Sequence, residues 1–139
     1  MRNIVGQILN DQFRVDAYIA SGSMGSVFQV WDQKRSVNLA MKILHADLTE
    51  DPSVFKRFQR EANALKKLTH PNIVPFYGLQ RSDDLAYILE AFVDGPTLKS
   101  ILRNRRDDQL TIDESLPFFK ALCAALGYAH VHGVIHCDV

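Results

Sequence analysis

Cysteine is scarce in this chain: Cys123 and Cys137 are the only two in 139 residues. Their separation fits no CxxC pattern, and two thiols cannot build a disulfide framework, so a reducing, cytoplasmic setting is the expectation. An excess of charge of one sign is missing too. Sixteen Lys and Arg balance sixteen Asp and Glu, a formal net charge of zero. That balance offers no bulk attraction to nucleic acid or to an anionic membrane surface. Long apolar runs are also wanting: nothing approaches the roughly 20 residues of a membrane span. The opening MRNIVGQILNDQF has neither the apolar core nor the small-residue cleavage site of a signal peptide. No internal repeat and no low-complexity tract interrupts the chain. What is present is 47% hydrophobic and 23% charged residues, ordinary for a globular protein and enough for one domain with its own core.

The most informative stretch is Ile19 to Lys42, IASGSMGSVFQVWDQKRSVNLAMK. Phe13, Val15, Ala17 and Ile19 alternate with Arg14, Asp16 and Tyr18, which predicts a half-buried strand. A small-residue turn follows, Ser21 to Ser26, and then a second strand from Val27 to Trp31, so the two form a hairpin. Glycines in its tip let the backbone approach a ligand closely, and successive backbone N–H groups there can cradle phosphate oxygens. Val37 to Leu44 predicts a third strand. Period two places Ala40 and Lys42 on one face of it and Leu39 and Met41 on the other. Lys42 can therefore supply a point charge to phosphates held by the preceding turn.

Asp51-Pro52 reads as a helix start, a capping carboxylate followed by proline at the first position. At the helical period, Val54, Phe58, Leu65 and Leu68 fall within about 60° of Glu61. A carboxylate in the middle of an apolar stripe needs a partner, and Lys42 is the candidate. The helix is expected to end near Thr69, before His70-Pro71-Asn72. Two more strands, Ile73–Gln80 and Leu85–Val93, flank a polar turn, and Asp94-Gly95-Pro96 breaks the second one. Thr97 starts a short helix. Thr111 and Glu114 have capping-box spacing ahead of a longer helix that carries Pro117 and stops at Gly133, with a short apolar segment, Val134–His136, after it that is expected to be a short strand. The order predicts an α+β fold, sheet-rich first and helical afterwards. The division is 1–93, a hinge at 94–96, and 97–139.

These residues, in this order, resemble the protein-kinase signature set. Ala20, Gly22, Gly25 and Val27 match the GxGxxGxV loop with alanine at its first glycine, and Leu39-Ala40-Met41-Lys42 matches the VAIK strand. Glu61 matches the helix glutamate that pairs with the lysine. His70-Pro71-Asn72-Ile73-Val74 looks like the segment after that helix, and Leu89-Glu90-Ala91-Phe92 like the gatekeeper and hinge. His136-Cys137-Asp138 resembles HRD, with cysteine for arginine. Ser23-Met24-Gly25 and Val30-Trp31-Asp32 look most like the bacterial, eukaryotic-like (Hanks-type) serine/threonine kinases.

The resemblance implies the kinase small lobe, a five-stranded antiparallel sheet with one helix, followed by the first helices of the large lobe. It implies ATP as cofactor and a protein substrate. Ile19, Ala20, Ser21, Gly22, Ser23, Met24, Gly25, Ser26 and Val27 would cover the phosphates. Ala40, Leu89, Glu90 and Phe92 would border the base, with the Glu90 carbonyl and the Phe92 amide as hinge contacts. Lys42 would bond the α- and β-phosphates, Glu61 would hold Lys42, and Asp138 would orient or deprotonate the substrate hydroxyl. The family's two Mg²⁺-binding segments, the asparagine after HRD and the DFG aspartate, have no counterpart among these 139 residues. The expectation is an ATP-binding portion of a serine/threonine kinase that is not competent as an isolated chain; no residue is assigned to metal.

Each feature has a plainer explanation on its own. The glycine turn alone would be an ordinary hairpin, Lys42 a surface lysine at a strand end, and Asp138 a loop aspartate. His130, His132, His136 and Cys137 fit no zinc spacing. Cys137 beside a carboxylate is an unreactive filler. The leucines and aromatics of the last helix are core positions whose covering partners are missing, which predicts an exposed apolar face and self-association. A second class of function therefore stays open: a pseudokinase-like nucleotide-binding or interaction module.

Overall fold

The computed structural model describes residues 4–22, 25–45, 52–82, 85–107 and 109–136. Ser23, Met24, Asp51, Cys137 and Asp138, together with the side chain of Glu61, lie outside the described residues. Strand β1 is Ile8–Leu9, β2 Phe13–Gly22, β3 Gly25–Asp32 and β4 Val37–Leu44. Helix α1 is Pro52–Leu65, followed by β5 Phe76–Ser82 and β6 Leu85–Ala91. Helices α2, Leu98–Arg103, and α3, Ile112–Val131, complete the described elements.

Every strand pairs antiparallel with its neighbour in the order β1-β2-β3-β4-β6-β5. Five of these strands are the expected sheet, and the two-residue β1 adds a sixth. Asn10 and Asp11, both at positive φ (50° and 49°), turn the chain from β1 into β2. Short polar side chains tolerate that region. Asn10 Nδ2 then donates to the Arg81 carbonyl at 2.9 Å and to the Tyr87 hydroxyl at 2.7 Å, which ties the first turn to β5 and β6 at the far side of the sheet. The sheet curls around its core face, where Phe13, Val15, Val30, Leu39, Met41, Tyr87 and Leu89 are each at most 1% exposed. Phe13 and Tyr87 meet edge to face at 6.1 Å.

The β3–β4 turn is locked from inside. Asp32 is fully buried and accepts from Gln12 Nε2 at 2.9 Å, from the Lys34 and Arg35 amides at 3.0 and 3.2 Å, and from Arg35 Nη1 at 2.7 Å. Burial alone would push this carboxyl up. The hydrogen bonds from Arg35, Gln12 and Lys34 outweigh it and hold the group below its ordinary value.

Helix α1 ends at Leu65, four residues short of Thr69, because the chain tightens there: the Leu68 amide reaches back to Leu65 rather than to residue 64. Ala62 and Leu68 are buried, whereas Leu65 is 39% exposed. The Arg81 guanidinium lies 4.0 Å from the Phe55 ring centroid.

Residues 1–68 and 75–92 form one compact unit, and residues 69–74 and 93–139 form another. In the second unit, Thr97 caps α2 by accepting from the Ser100 amide at 3.1 Å. Thr111 and Glu114 form the capping box of α3: Thr111 Oγ1 accepts from the Glu114 amide, and Glu114 Oε2 from the Thr111 amide. The helix runs through Pro117, which lacks the N–H that would reach residue 113. Its end is a Schellman turn. Gly133 sits at φ 75°, its amide bonds the His130 carbonyl, and the Val134 amide bonds the Ala129 carbonyl, both at 2.9 Å. Val134–His136 forms no strand. Of the α3 residues, only Ala125 and Ala129 are buried.

Candidate functional site

The cross-strand registers decide which side chains share a face. Val27 lies opposite both Ala20 and Lys42, Gln29 opposite Ala40, Ala40 opposite Glu90, and Lys42 opposite Ile88. Opposite residues in a ladder point to the same side. Ala20, Val27, Ala40, Lys42, Ile88 and Glu90 therefore line the face turned away from the core. The result is an apolar floor, Val27 and Ala40, with an ammonium at one end and a carboxyl beside it. Lys42 and Ala40 are each half-buried.

The hairpin that carries Ala20 and Val27 stays paired to its tip, ending in the pair Gly22↔Gly25. Its two glycines have different jobs. A Cβ on Gly25 would lie 1.8 Å from the Ile43 carbonyl oxygen, so β4 passes too close for any side chain there. A Cβ on Gly22 would meet nothing within 4 Å; this side of the turn is open, as approach of a ligand to the backbone requires. Ser21 and Ser26 join their hydroxyls at 3.0 Å below the tip. His45 Nε2 lies 3.3 Å from the Gly22 carbonyl, a contact between a strand end and the hairpin that no local sequence signal announces.

The structure brings together Ala20, Val27, Ala40, Lys42 and Glu90 of the expected site residues, with Ser21, Gly22, Gly25 and Ser26 in the hairpin above. Three positions have surroundings that the sequence pattern does not announce. Leu89 pairs with Met41 and is fully buried in the core cluster, so its side chain lies on the opposite face from Lys42. Ile19 is 46% exposed: register irregularities at Val15/Ala17 and Tyr18/Ala20 break the period-two alternation, and it is Tyr18 that packs edge to face on Phe28 at 5.6 Å. Glu90 is enclosed by strands on both sides, opposite Ala40 and Phe76. Its carboxyl shares the face of Ala40 and Lys42. Burial pushes that carboxyl up from its ordinary value, while the nearby Lys42 charge pulls it down, and burial prevails. An acid inside the apolar run YILEAF was the available signal. Phe92, half-buried, follows directly after β6. Among the described residues no group of three or more His, Cys, Asp or Glu could hold a metal ion, and no helix is long and apolar enough to cross a membrane.

Comparison with known proteins addresses the whole assembly. Residues 13–139 match the family described as the protein kinase domain. The serine/threonine-protein kinase PknD of Protochlamydia amoebophila is 35% identical over 95% of this chain and 14% of its own length. PknB of Mycolicibacterium smegmatis is 34% identical over 96% of this chain and 22% of its own. The crystal structure of the Mycobacterium tuberculosis PknI kinase domain superposes with a TM-score of 0.83 at 28% identity, covering 97% of this chain and 54% of that one. The chain thus spans less than a quarter of these curated relatives and about half of the solved kinase domain.

Proposed function

This chain belongs to the protein kinase domain family, and from that premise we propose that its sheet-rich unit is the ATP-binding part of a bacterial-type serine/threonine kinase. Kinases of this family transfer a phosphoryl group from ATP, with Mg²⁺, to a protein hydroxyl. The observation that carries the proposal is the shared face of Val27, Ala40 and Lys42 beneath a hairpin whose Gly22 side is open. An adenine can lie on the Val27–Ala40 floor, bordered by Glu90 and Phe92. Its phosphates would then run under Ser21–Ser26 toward the Lys42 ammonium, the one described cation on this stretch of the face. Ile19, Ser23 and Met24 complete the covering loop.

Glu61 is assigned the role of holding Lys42, and Asp138 that of orienting or deprotonating the substrate hydroxyl. Residues 1–93 then act as the small lobe, 94–96 as the hinge and 97–139 as the start of the large lobe. Mg²⁺ supplies charge neutralisation at the transferring phosphoryl group, and no residue of this chain is assigned to it. A cytoplasmic location and a protein substrate follow from the same proposal.

Isothermal titration with ATP is the test. The 139-residue chain should bind ATP, and Lys42→Ala should weaken binding about tenfold, the scale of a lost charge-assisted contact to phosphate. Equal affinity of the two proteins would overturn the assignment. A second function has an observation of its own: Ile112, Phe119 and Val131 on α3 are 85%, 63% and 85% exposed. An apolar surface of that kind suits an interaction module that self-associates. Concentration-dependent sedimentation without nucleotide binding would favour it.

A further inference from the structure

Two charged side chains of the candidate nucleotide face come from adjacent strands. Ala40 stands opposite Glu90 and Lys42 opposite Ile88, so Lys42 and Glu90 are diagonal neighbours pointing the same way. Diagonal positions on a sheet face lie about 7–8 Å apart, within reach of long side chains. Glu90 is half-buried in the strand between β4 and β5. A carboxylate in such a place needs a counter-charge, and the Lys42 charge acts directly on it, opposing the effect of burial. The phosphate role proposed for Lys42 makes no use of Glu90.

We propose that Glu90 is a positioning residue that competes with nucleotide phosphates for the Lys42 ammonium, and so limits how strongly the site holds the phosphate end of its ligand. The proposal rests on Lys42 being the phosphate contact. A phosphate that recruits Lys42 leaves the half-buried Glu90 less compensated. That cost arises only when phosphates are bound, whatever contact Glu90 makes with the base. A purely structural glutamate would affect nucleoside and nucleotide alike.

The experiment is a double-mutant cycle read by calorimetry, with ATP and adenosine as probes and wild type, Glu90→Gln, Lys42→Ala and the double variant as proteins. Glu90→Gln keeps the shape and removes the charge. It should bind ATP about threefold to fivefold more tightly, the range of a part-exposed ion pair. Any change in its adenosine affinity should be smaller than the gain for ATP, and that gain should vanish in the Lys42→Ala background. Weaker binding of both probes, or an unchanged gain in that background, overturns the proposal. If wild type binds adenosine and ATP equally, the phosphate role of Lys42 itself falls and this proposal with it. A readout without nucleotide is the NMR titration of the Glu90 carboxyl: its midpoint should rise in Lys42→Ala, and an unmoved midpoint overturns the proposal.

Discussion

The two compact units of this chain are built on different balances of local and tertiary signal. In the sheet unit the core closes on itself: Phe13, Val30, Met41, Tyr87 and Leu89 are all fully buried, and Asp32 is buried with four hydrogen bonds. In the helical unit the helix ends are well made, with a capping box at Thr111 and Glu114 and a Schellman turn at Gly133, yet α3 buries only Ala125 and Ala129. Capping defines where a helix starts and stops, at about 1 kcal/mol per cap. It does not supply the apolar burial that stabilises a domain. The candidate chemistry sits on the unit with the closed core, where the registers that align Val27, Ala40 and Lys42 are held by packing.

The sharpest way to break this comparison is core truncation. Leu39→Ala or Met41→Ala should each cost about 2–5 kcal/mol. Phe119→Ala on α3, 63% exposed, should stay within about 0.5 kcal/mol. Urea unfolding followed by Trp31, the chain's one tryptophan and a β3 residue, reads the core variants, and far-UV circular dichroism reads Phe119→Ala. Comparable losses would mean that α3 is as well packed as the sheet.

The next largest effect separates the two hairpin glycines. Gly25→Ala must displace the Ile43 carbonyl, at about 1–3 kcal/mol for forced backbone movement. Gly22→Ala has open space around it, so its stability should change by less than about 1 kcal/mol while ATP binding weakens. If Gly25→Ala were neutral in the same denaturation assay, the close β3–β4 approach would be wrong.

The smallest effect belongs to the helical unit. Hydrogen bonds from the Arg105 side chain and the Thr111 amide lower the Glu114 carboxyl to about 2. A depressed carboxyl stabilises the folded state above its unfolded value, near 4.5, and that contribution is lost as pH falls toward about 2. Far-UV circular dichroism should show a helical loss over this acid range that is smaller in Glu114→Gln. Identical acid profiles would place Glu114 outside the cap in solution.

Much of this was legible in the sequence because it is local. Period two placed Ala40 and Lys42 on one face, and Thr111, Glu114 and Gly133 marked the bounds of α3. Tertiary features were not legible. The β2 irregularities that leave Ile19 exposed are invisible to alternation counting, and β1 is too short to carry a period. Leu89 and Glu90 are sequence neighbours, and only their pairing with Met41 and Ala40 reveals which of them faces Lys42.

The central claim is that the Val27–Ala40–Lys42 face is a nucleotide site built within the sheet unit. Amide NMR of the labelled 139-residue chain, titrated with ATP, tests it most directly. Shifts should concentrate at Ala20–Val27, Ala40, Lys42 and Glu90, leave α3 unmoved, and shrink in Lys42→Ala. Shifts centred on α3, or a pattern that Lys42→Ala leaves intact, would contradict it.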